Sequence, residues 1–331
     1  MVTVHCLAYN HEQYIRDCLN GIVMQKTNFR FEAIVHDDVS KDKTAQIIRE
    51  YAWKFPDIIK PIYETENQYS KNDGSLEQIM NKNSYGKYIA ICEGDDYWTD
   101  PYKLQKQVDF MEKYHEYGLC YTKAKILKNG QISGDFGTPD TSFEGLLTYS
   151  NFPTLTRLYR KSIWDSYYKD VNPYTKGWMM VDYPMAFYFA LKSKIKYIEG
   201  FTGVYRIVGE SASHSSNIDY LIKFYDSADD VRRFYVNNYI ANDGKKQMYL
   251  NLIKEREIVY KLSLLLNNNL KDDARSLYIQ NYNKLCIYNR LKFFLSTKSI
   301  LLYKLIIYIQ MILNYSLKVI KMRFVNLPIC V

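Results

Sequence analysis

Short apolar runs alternate with amphipathic segments along the first third of the chain. Apolar runs bounded by polar or glycine residues are typical of buried strands, and they occur at Val2–Ala8, Phe31–His36, Ile58–Tyr63, Lys87–Cys92 and Tyr117–Thr122. Between these runs, apolar residues spaced three and four apart predict helices over residues 12–24, 44–54, 75–83 and 101–114. Strands that alternate with helices in this way predict a doubly wound α/β sheet.

The pattern changes in the rest of the chain. From Lys123 to Phe152 regular patterning fades and glycines mark turns. It resumes as a short strand at Thr154–Tyr159, a buried helix at Val181–Leu191 and a pair of strands within Lys196–Val204. Beyond Asn217 the chain is predicted to be helical, over Ile218–Tyr239, Lys245–Leu266 and Lys271–Leu285.

These patterns predict three parts. An α/β domain covers residues 1–215, with one half at 1–122 and another at 123–215. A helical extension follows at 216–290, and a basic tail at 291–331.

Composition narrows the class of protein. Hydrophobic residues make up 47% of the chain, with only 14 Gly and 8 Pro, which predicts folded domains without low-complexity linkers. The six cysteines are scattered without a CxxC pair, a pattern that favours free thiols in a reducing cytoplasm over a disulfide framework or a zinc site. The N-terminus is already strand-like and predicts no signal peptide.

The net charge of +8 arises beyond residue 273. Residues 274–331, which include the tail, hold nine Lys or Arg and no Asp or Glu. The longest uncharged run, Leu305–Leu317, has 13 residues, short of the roughly 20 that a membrane-spanning helix needs. We therefore expect a basic amphipathic helix on an anionic membrane surface. Packing on the catalytic domain or on a partner is the alternative, and nucleic-acid binding is not expected because no recognition motif accompanies the charge.

Three acidic residues follow the predicted strand at 87–92. Glu93, Asp95 and Asp96 stand at its carboxyl end, where open α/β sheets bind their ligands. Neighbouring carboxylates repel each other unless a cation or hydrogen bonds offset the repulsion. Oxygen donors of this kind suit Mg²⁺ or Mn²⁺. In the alternative interpretation, Asp95 and Asp96 only cap the next helix, for which Asp100 and Pro101 already supply a cap and a first turn.

A second acidic pair, Asp37–Asp38, follows the strand at 31–36. A right-handed parallel sheet would bring both acidic sites to one crevice. A metal-bound diphosphate near Asp96 with a nucleoside near Asp37 would use both. Neither GxGxxG nor GxxxxGK[ST] is present, so a metal rather than a glycine-rich loop is expected to hold the phosphates.

Three stretches in this order resemble the family 2 glycosyltransferases of GT-A fold, especially the bacterial capsule and lipopolysaccharide type. They are VTVHCLAYNHEQYI, HDDVSKDKT and GKYIAICEGDDYWTDPYKLQKQ. The resemblance is dense over residues 2–122 and loose over 154–214. It implies a mixed GT-A sheet flanked by helices, here with an α-helical C-terminal extension, and a UDP- or dTDP-linked sugar as donor.

The resemblance also implies roles for single residues. Ala8, Tyr9 and Asn10 would contact the base, and Asp38 the uracil or the ribose. Asp95 would lie near the ribose, Asp96 would ligate the metal, and Glu93 is ambiguous between support of the site and a solvent-facing turn. Near the end of the domain, where relatives often carry Tyr-Arg and then His, Arg206 could neutralise diphosphate charge and His214 could serve as a metal ligand.

Direct displacement at a sugar carbon needs a base for the acceptor hydroxyl. By the resemblance, Asp182 is the candidate, because the family's base begins a helix well after the metal motif. It is an isolated acid in an apolar stretch, and burial would raise its pKa. An N-cap role beside Pro184 is the alternative. Trp178 could stack on an acceptor sugar or be core, and Trp98 is expected to be structural.

The sequence thus predicts an inverting, metal-dependent glycosyltransferase with Mg²⁺ or Mn²⁺. Its acceptor would be a hydroxyl of a surface polysaccharide or a lipid-linked oligosaccharide, and it would be cytoplasmic, bound peripherally at the inner face of the membrane. A catalytically silent nucleotide-sugar or glycan-binding module and a nucleotidyltransferase are the alternatives. A nucleotidyltransferase would normally show a basic, glycine-rich phosphate loop near the N-terminus. The stretch LAYNHEQYI at residues 7–15 is not such a loop.

Overall fold

The computed structural model describes residues 1–71, 73–148, 151–208, 217–299 and 301–309. By contacts the chain divides into two compact units. The first comprises Met1–Asn217 with Asp230–Tyr235, and the second comprises Ile218–Asp229 with the described residues from Val236 onward. The functional domain limits given above stay a prediction.

One mixed sheet organises the first unit. Its described strands are β1 (Val2–Ala8), β2 (Phe31–Asp37), β3 (Ile59–Tyr63), β4 (Tyr88–Ile91), β5 (Tyr97–Trp98), β6 (Tyr117–Lys128), β7 (Gln131–Phe136), β8 (Leu158–Arg160) and β9 (Lys194–Ile207). The order across the sheet is β3-β2-β1-β4-β8-β6-β9-β5, with β7 paired to β6.

The first four strands of that order are parallel, so their carboxyl ends meet at one edge. Ala8 pairs in register with Asp37, which brings the loops after β1 and β2 side by side. Strand β8 is antiparallel to β4, and β6 and β9 run parallel to each other over a long stretch. The predicted α/β sheet with several C-terminal helices is therefore present.

Helices cover the sheet and form the second unit. They are α1 (Ile15–Val23), α2 (Thr44–Lys54), α3 (Ser75–Lys82), α4 (Lys103–Lys113), α5 (Phe143–Thr148), α6 (Lys161–Val171), α7 (Asp182–Lys192), α8 (Ile218–Tyr239), α9 (Asp243–Asn267), α10 (Lys271–Asn281) and α11 (Ile287–Lys298). Residues 301–309 are also helical.

The core of the first unit lies between β1, β2 and β4 and the helices α1, α2 and α4. Val4, Cys6 and Ala90 are fully buried there, which explains why these strands read as continuous apolar runs. Helix α1 begins at Ile15 rather than at residue 12 because the preceding residues form a turn in which the N–H groups of Tyr14 and Ile15 donate to the His11 carbonyl.

Three predictions for residues 123–204 are wrong. Strand β6 continues to Lys128 and forms a hairpin with β7, where irregular structure was expected. Thr154–Thr156 is a 3₁₀ turn ahead of β8, not the start of a strand. The expected strand pair is one long strand, β9, in which Gly200 has a φ of 115°.

Helices α9, α10 and α11 and residues 301–309 supply the apolar core of the second unit. Phe293 is fully buried and Tyr303 is 3% exposed in it. The described part of the predicted tail therefore packs in part within this unit. Among the described residues, no helix is both long enough and apolar enough to cross a membrane.

Candidate active site

The loop after β1 is tied to the loop after β2. Ala8 ends β1 and is buried, whereas Tyr9 is 43% exposed. Asn10 takes a left-handed conformation with a φ of 55°. Its N–H donates to Ser40 Oγ at 2.9 Å, and its Oδ1 accepts the N–H of Lys41 at 2.8 Å. These bonds fix the loop and leave the Tyr9 ring at the carboxyl edge of the sheet.

Asp37 and Asp38 are both buried, but their oxygens are used differently. Asp38 Oδ1 accepts the N–H of Gln68 at 2.6 Å, and Oδ2 accepts that of Tyr69 at 3.0 Å. Asp37 Oδ2 accepts the N–H of Ser40 at 3.3 Å, while Asp37 Oδ1 is buried without a hydrogen-bond partner among the described residues. The carboxylate of Asp38 is thus satisfied within the chain. Of the four carboxylate oxygens of the pair, Asp37 Oδ1 is the one without a hydrogen-bond partner among the described residues.

The three carboxylates after β4 form one cluster. One ligand oxygen from each of Glu93, Asp95 and Asp96 lies within 4.8 Å of the others. Asp96 is 1% exposed, and burial together with the charges of Asp95 and Glu93 raises its pKa well above the usual range. Burial, then Asp95 and Asp182, raises the pKa of Glu93 to about 8. Such mutual repulsion is the condition that a divalent cation relieves, and the donor set fits Mg²⁺ or Mn²⁺.

Gly94 allows this turn through close approach rather than through an unusual φ. Its N–H donates to the Leu7 carbonyl at 2.8 Å. A Cβ at this position would lie 2.8 Å from His11 Nδ1 and 3.1 Å from the Leu7 carbonyl oxygen. A larger residue would therefore push the carboxylate cluster away from the loop after β1.

Arg206 reaches the cluster from β9, 110 residues further along the chain. Its N–H donates to Asp96 Oδ1 at 2.7 Å, and its guanidinium donates to the Asp95 carbonyl oxygen. The guanidinium also pairs with Asp17 Oδ2 at 2.8 Å and lies over the Tyr14 ring. Because Asp96 accepts a bond from another strand and not from the following helix, the capping interpretation is not supported for it.

Asp182 is the first residue of α7, and its carboxylate is held from one side. Thr154 Oγ1 donates to Asp182 Oδ2 at 2.6 Å, and Arg157 Nη2 lies 3.4 Å from the same oxygen. The expected burial is wrong, because the Asp182 side chain is 45% exposed. The helix shows no side-chain capping bond at its N-cap, Val181. Within the described residues Asp182 Oδ1 accepts no hydrogen bond, so it is open to a substrate proton.

Arg157 was missed by the sequence reasoning. It is 3% exposed, and its guanidinium donates to the Phe152 carbonyl, to the Tyr159 hydroxyl at 3.0 Å and to the Asp182 carbonyl at 3.0 Å. Its charge also acts against the rise in the pKa of Glu93. The available signal was a basic residue inside the predicted short strand Thr154–Tyr159.

The two tryptophans singled out in the sequence lie in different surroundings. Trp98 is 2% exposed, and its indole N–H donates to the Leu155 carbonyl at 2.6 Å, as expected of a structural residue. Trp178 is partly buried and lies edge-on to Phe234, with ring centroids 5.3 Å apart. His214 lies outside the described residues, so its expected role as a metal ligand stays a prediction.

Comparison with known proteins assigns most of the first unit of the chain to a protein family. The sequence model of Glycosyl transferase family 2 matches residues 3–183, more than half of the chain. A relative from Mycobacterium bovis, Uncharacterized protein Mb1547, is 30% identical over 223 residues, which cover 66% of this chain and 62% of the relative. The Escherichia coli protein UDP-Glc:alpha-D-GlcNAc-diphosphoundecaprenol beta-1,3-glucosyltransferase WfaP is 30% identical over 157 residues, 47% of this chain and 59% of WfaP. The chain thus spans less than two thirds of these relatives.

Solved structures share the fold. S. aureus TarS 1-349 in complex with UDP-GlcNAc has a TM-score of 0.59 and 19% identity, covering 89% of this chain and 81% of TarS. The mannosyltransferase PcManGT from Pyrobaculum calidifontis, in complex with GDP-Man and Mn2+, has a TM-score of 0.56 and 15% identity, covering 87% and 76%. These likenesses confirm the GT-A fold expected from the sequence. With the family match over residues 3–183, the chain belongs to glycosyl transferase family 2.

Proposed function

We propose that this chain is an inverting, metal-dependent hexosyltransferase that moves a sugar from a UDP-sugar to a hydroxyl of a glycan or lipid-linked oligosaccharide. The observation that carries the proposal is the cluster of Glu93, Asp95 and Asp96 within 4.8 Å at the carboxyl end of β4. Ligands of open α/β sheets bind at this edge.

The nucleoside would bind between the first loop and Asp37. The free Oδ1 of Asp37 can accept a hydrogen bond from a base N–H or a ribose hydroxyl. The exposed Tyr9 ring offers a face for the base, beside Ala8 and Asn10, and Asp95 would lie near the ribose. A UDP-sugar is favoured because WfaP is named for UDP-Glc and TarS is solved with UDP-GlcNAc.

The cation would be Mg²⁺ or Mn²⁺, held by Asp96 with help from its two neighbours. When bound, it would neutralise the diphosphate and stabilise its departure. The N–H of Arg206 fixes Asp96 Oδ1, and the Arg206 guanidinium, which contacts the Asp95 carbonyl, places a positive charge beside the same turn. The structure of PcManGT with GDP-Man and Mn2+ supports the use of a divalent cation by this fold.

Asp182 would act as the base. Thr154 and Arg157 both approach Oδ2, which orients the carboxylate and leaves Oδ1 to accept the proton of the acceptor hydroxyl. The acceptor oxygen, once Asp182 takes its proton, would attack the sugar carbon on one side while the diphosphate leaves on the opposite side. Such a direct displacement inverts the configuration of that carbon.

We also propose the class of acceptor, from the name of a relative, and the location of the chain, from its exposed apolar side chains. The name of WfaP, with its diphosphoundecaprenol acceptor, favours a lipid-linked acceptor. The place in capsule or lipopolysaccharide assembly rests on the resemblance of the three sequence stretches. In α11 and residues 301–309, several apolar side chains are exposed, including Ile287 (82%), Leu291 (61%) and Leu301 (79%). With Lys298 and Lys304 nearby in sequence, this surface suits peripheral contact with the inner face of the cytoplasmic membrane.

A panel of nucleotide sugars, incubated with the full chain and Mn²⁺, tests the proposal through release of free nucleotide. We expect release from one UDP-sugar and faster release when a suitable acceptor is present. Binding of UDP with no release from any donor would instead identify a silent nucleotide-sugar-binding module. Formation of a nucleotide-sugar from an added sugar 1-phosphate and nucleoside triphosphate, with release of pyrophosphate, would identify a nucleotidyltransferase.

A further inference from the structure

A shallow cleft reaches Val181, the residue before Asp182. One wall comprises Gln68, Tyr69, Gly74, Leu76 and Glu77, and the other comprises lining residues between Pro173 and Val181. The cleft has a volume of about 90 Å³ and is open to solvent at its mouth. Val181 directly precedes Asp182, and the charges of both Asp182 and Glu77 act on the buried Tyr167.

Aromatic rings line the cleft in fixed positions. Tyr174 packs against Gly74, where any Cβ would overlap its ring, and it stacks on Tyr168 with an interplanar angle of 19°. Trp178 is held by its edge-on contact with Phe234. Rings of this kind present apolar faces that pack well on the C–H face of a pyranose.

Glu77 supplies the polar group of the cleft. It lies in the first turn of α3 and is partly buried, and burial followed by the charge of Asp73 raises its pKa. No side chain among the described residues donates a hydrogen bond to its carboxylate. A carboxylate that no other side chain of the described residues satisfies, with only its own backbone N–H acting on it, can still accept hydrogen bonds from sugar hydroxyls.

The charge of the cleft excludes phosphate-bearing ligands. No Lys or Arg is found among its described lining residues, and Glu77 is its only acid. A diphosphate or a sugar phosphate would meet an uncompensated carboxylate there. The nucleotide belongs instead with the cluster of Glu93, Asp95 and Asp96, where a cation can offset its charge.

We propose that this cleft binds a neutral sugar unit of the acceptor glycan. The sugar would stack on Trp178 and donate a hydroxyl hydrogen bond to Glu77, and this would bring the acceptor hydroxyl to Asp182. The proposal rests on the proposed function only for the role of Asp182 as the base. Sugar binding itself is independent of that role.

Binding of four neutral disaccharides to the full chain tests the cleft: maltose, cellobiose, lactose and N,N'-diacetylchitobiose. We expect saturation-transfer NMR to show millimolar binding of at least one. Glu77→Gln and Trp178→Ala should each weaken that binding at least fivefold. Trp53→Ala is the matched control, because Trp53 is 82% exposed on α2 and should leave sugar binding unchanged. Glu77→Gln nearly preserves side-chain size, so it tests the cleft even where Trp178→Ala fails to fold.

Calorimetry with UDP and Mn²⁺ on the same variants separates this inference from the proposed function. UDP affinity should stay within twofold of the unmodified chain. The inference is overturned if none of the four disaccharides binds, if binding survives both substitutions, or if glucose 6-phosphate binds more tightly than glucose. Loss of UDP affinity in Glu77→Gln would also overturn it, because the cleft would then belong to the donor site. Sugar binding without donor turnover would contradict the proposed function and leave the cleft assignment intact.

Discussion

Asp37 and Asp38 show how far two adjacent residues can differ in their hydrogen bonding. The sequence predicted an acidic pair at the end of β2, which the structure places there. It could not show that the backbone of residues 68 and 69 would turn back to occupy both oxygens of Asp38. That bonding depends on a loop about thirty residues away, which no local pattern encodes. The same holds for Arg206, whose contacts with Asp95 and Asp96 depend on the course of β9.

Asparagine substitutions should separate the two acids. In Asp37→Asn we expect UDP affinity to fall by roughly 1.5–3 kcal/mol, the usual value of a hydrogen bond to a charged group, with stability little changed. In Asp38→Asn one of two backbone N–H groups loses its acceptor, so the free energy of unfolding should fall by roughly 1–3 kcal/mol. Calorimetry and urea denaturation measure both effects. The reverse assignment would be supported if only Asp38→Asn weakened UDP binding.

Asp182→Asn tests the base. Removing the proton acceptor should lower the rate of transfer by roughly 10²–10⁴-fold, while UDP and Mn²⁺ still bind, because Asp182 is not a member of the carboxylate cluster. The measurement is turnover with saturating donor and acceptor. Asp165→Asn is the control, because among the described residues Asp165 pairs only with Lys161, on the exposed face of α6. Full transfer activity in Asp182→Asn would remove it from the mechanism.

At the scale of elements, the first half of the sheet was predictable because its strands are buried on both faces. Strands β1, β2 and β4 read as apolar runs and α2 was predicted with its observed limits. The hairpin of β6 and β7 was missed because β7 is mostly exposed at the edge of the sheet and carries little hydrophobic signal. Strand β9 was divided in prediction because Gly200 and Gly203 suggested turns, whereas pairing with β6 keeps it continuous.

His5 couples β1 to the end of α3 and gives a pH dependence. Its Nε2 lies 2.6 Å from Ser84 Oγ, and burial followed by the charge of Lys161 lowers its pKa to about 3. The unfolded chain binds this proton near pH 6.5 and the folded chain only near pH 3, so protonation favours unfolding in between. From pH 7 to pH 4 this residue should reduce stability by roughly 3 kcal/mol.

Denaturation of the unmodified chain and of His5→Gln across that pH range checks this effect. The variant should be less stable at pH 7 because of lost packing, but its stability should fall less steeply with acidification. Curves that fall in parallel would mean that His5 does not contribute the pH dependence.

At the scale of the whole molecule, the sequence predicted the helices of the second unit. It did not predict how the last described residues of that unit pack. Phe293 and Tyr303 are buried in its core, while Ile287, Leu291 and Leu301 are exposed. A basic apolar sequence is compatible with both packing and membrane contact. Sequence periodicity alone could not divide these residues between the two.

A triple substitution of Ile287, Leu291 and Leu301 to Ser tests membrane contact without removing the buried residues. We expect flotation with vesicles of anionic phospholipid to fall several-fold, because less apolar surface would enter the headgroup region. Ile279→Ser on α10, where Ile279 is 64% exposed, is the matched control. Equal flotation of the triple variant and the unmodified chain would rule out this surface as the contact.

In the proposed function, a divalent cation held by Asp96 joins the nucleotide diphosphate to the chain. Calorimetric titration of UDP, with Mn²⁺ and then with EDTA, measures this dependence on the unmodified chain, on Asp96→Asn and on the exposed control Asp57→Asn. UDP should bind tightly only with Mn²⁺, to the unmodified chain and to Asp57→Asn alike, and Asp96→Asn should lose at least tenfold in affinity. UDP binding that is equal with and without Mn²⁺, or that survives unchanged in Asp96→Asn, would show that no cation at Asp96 holds the nucleotide.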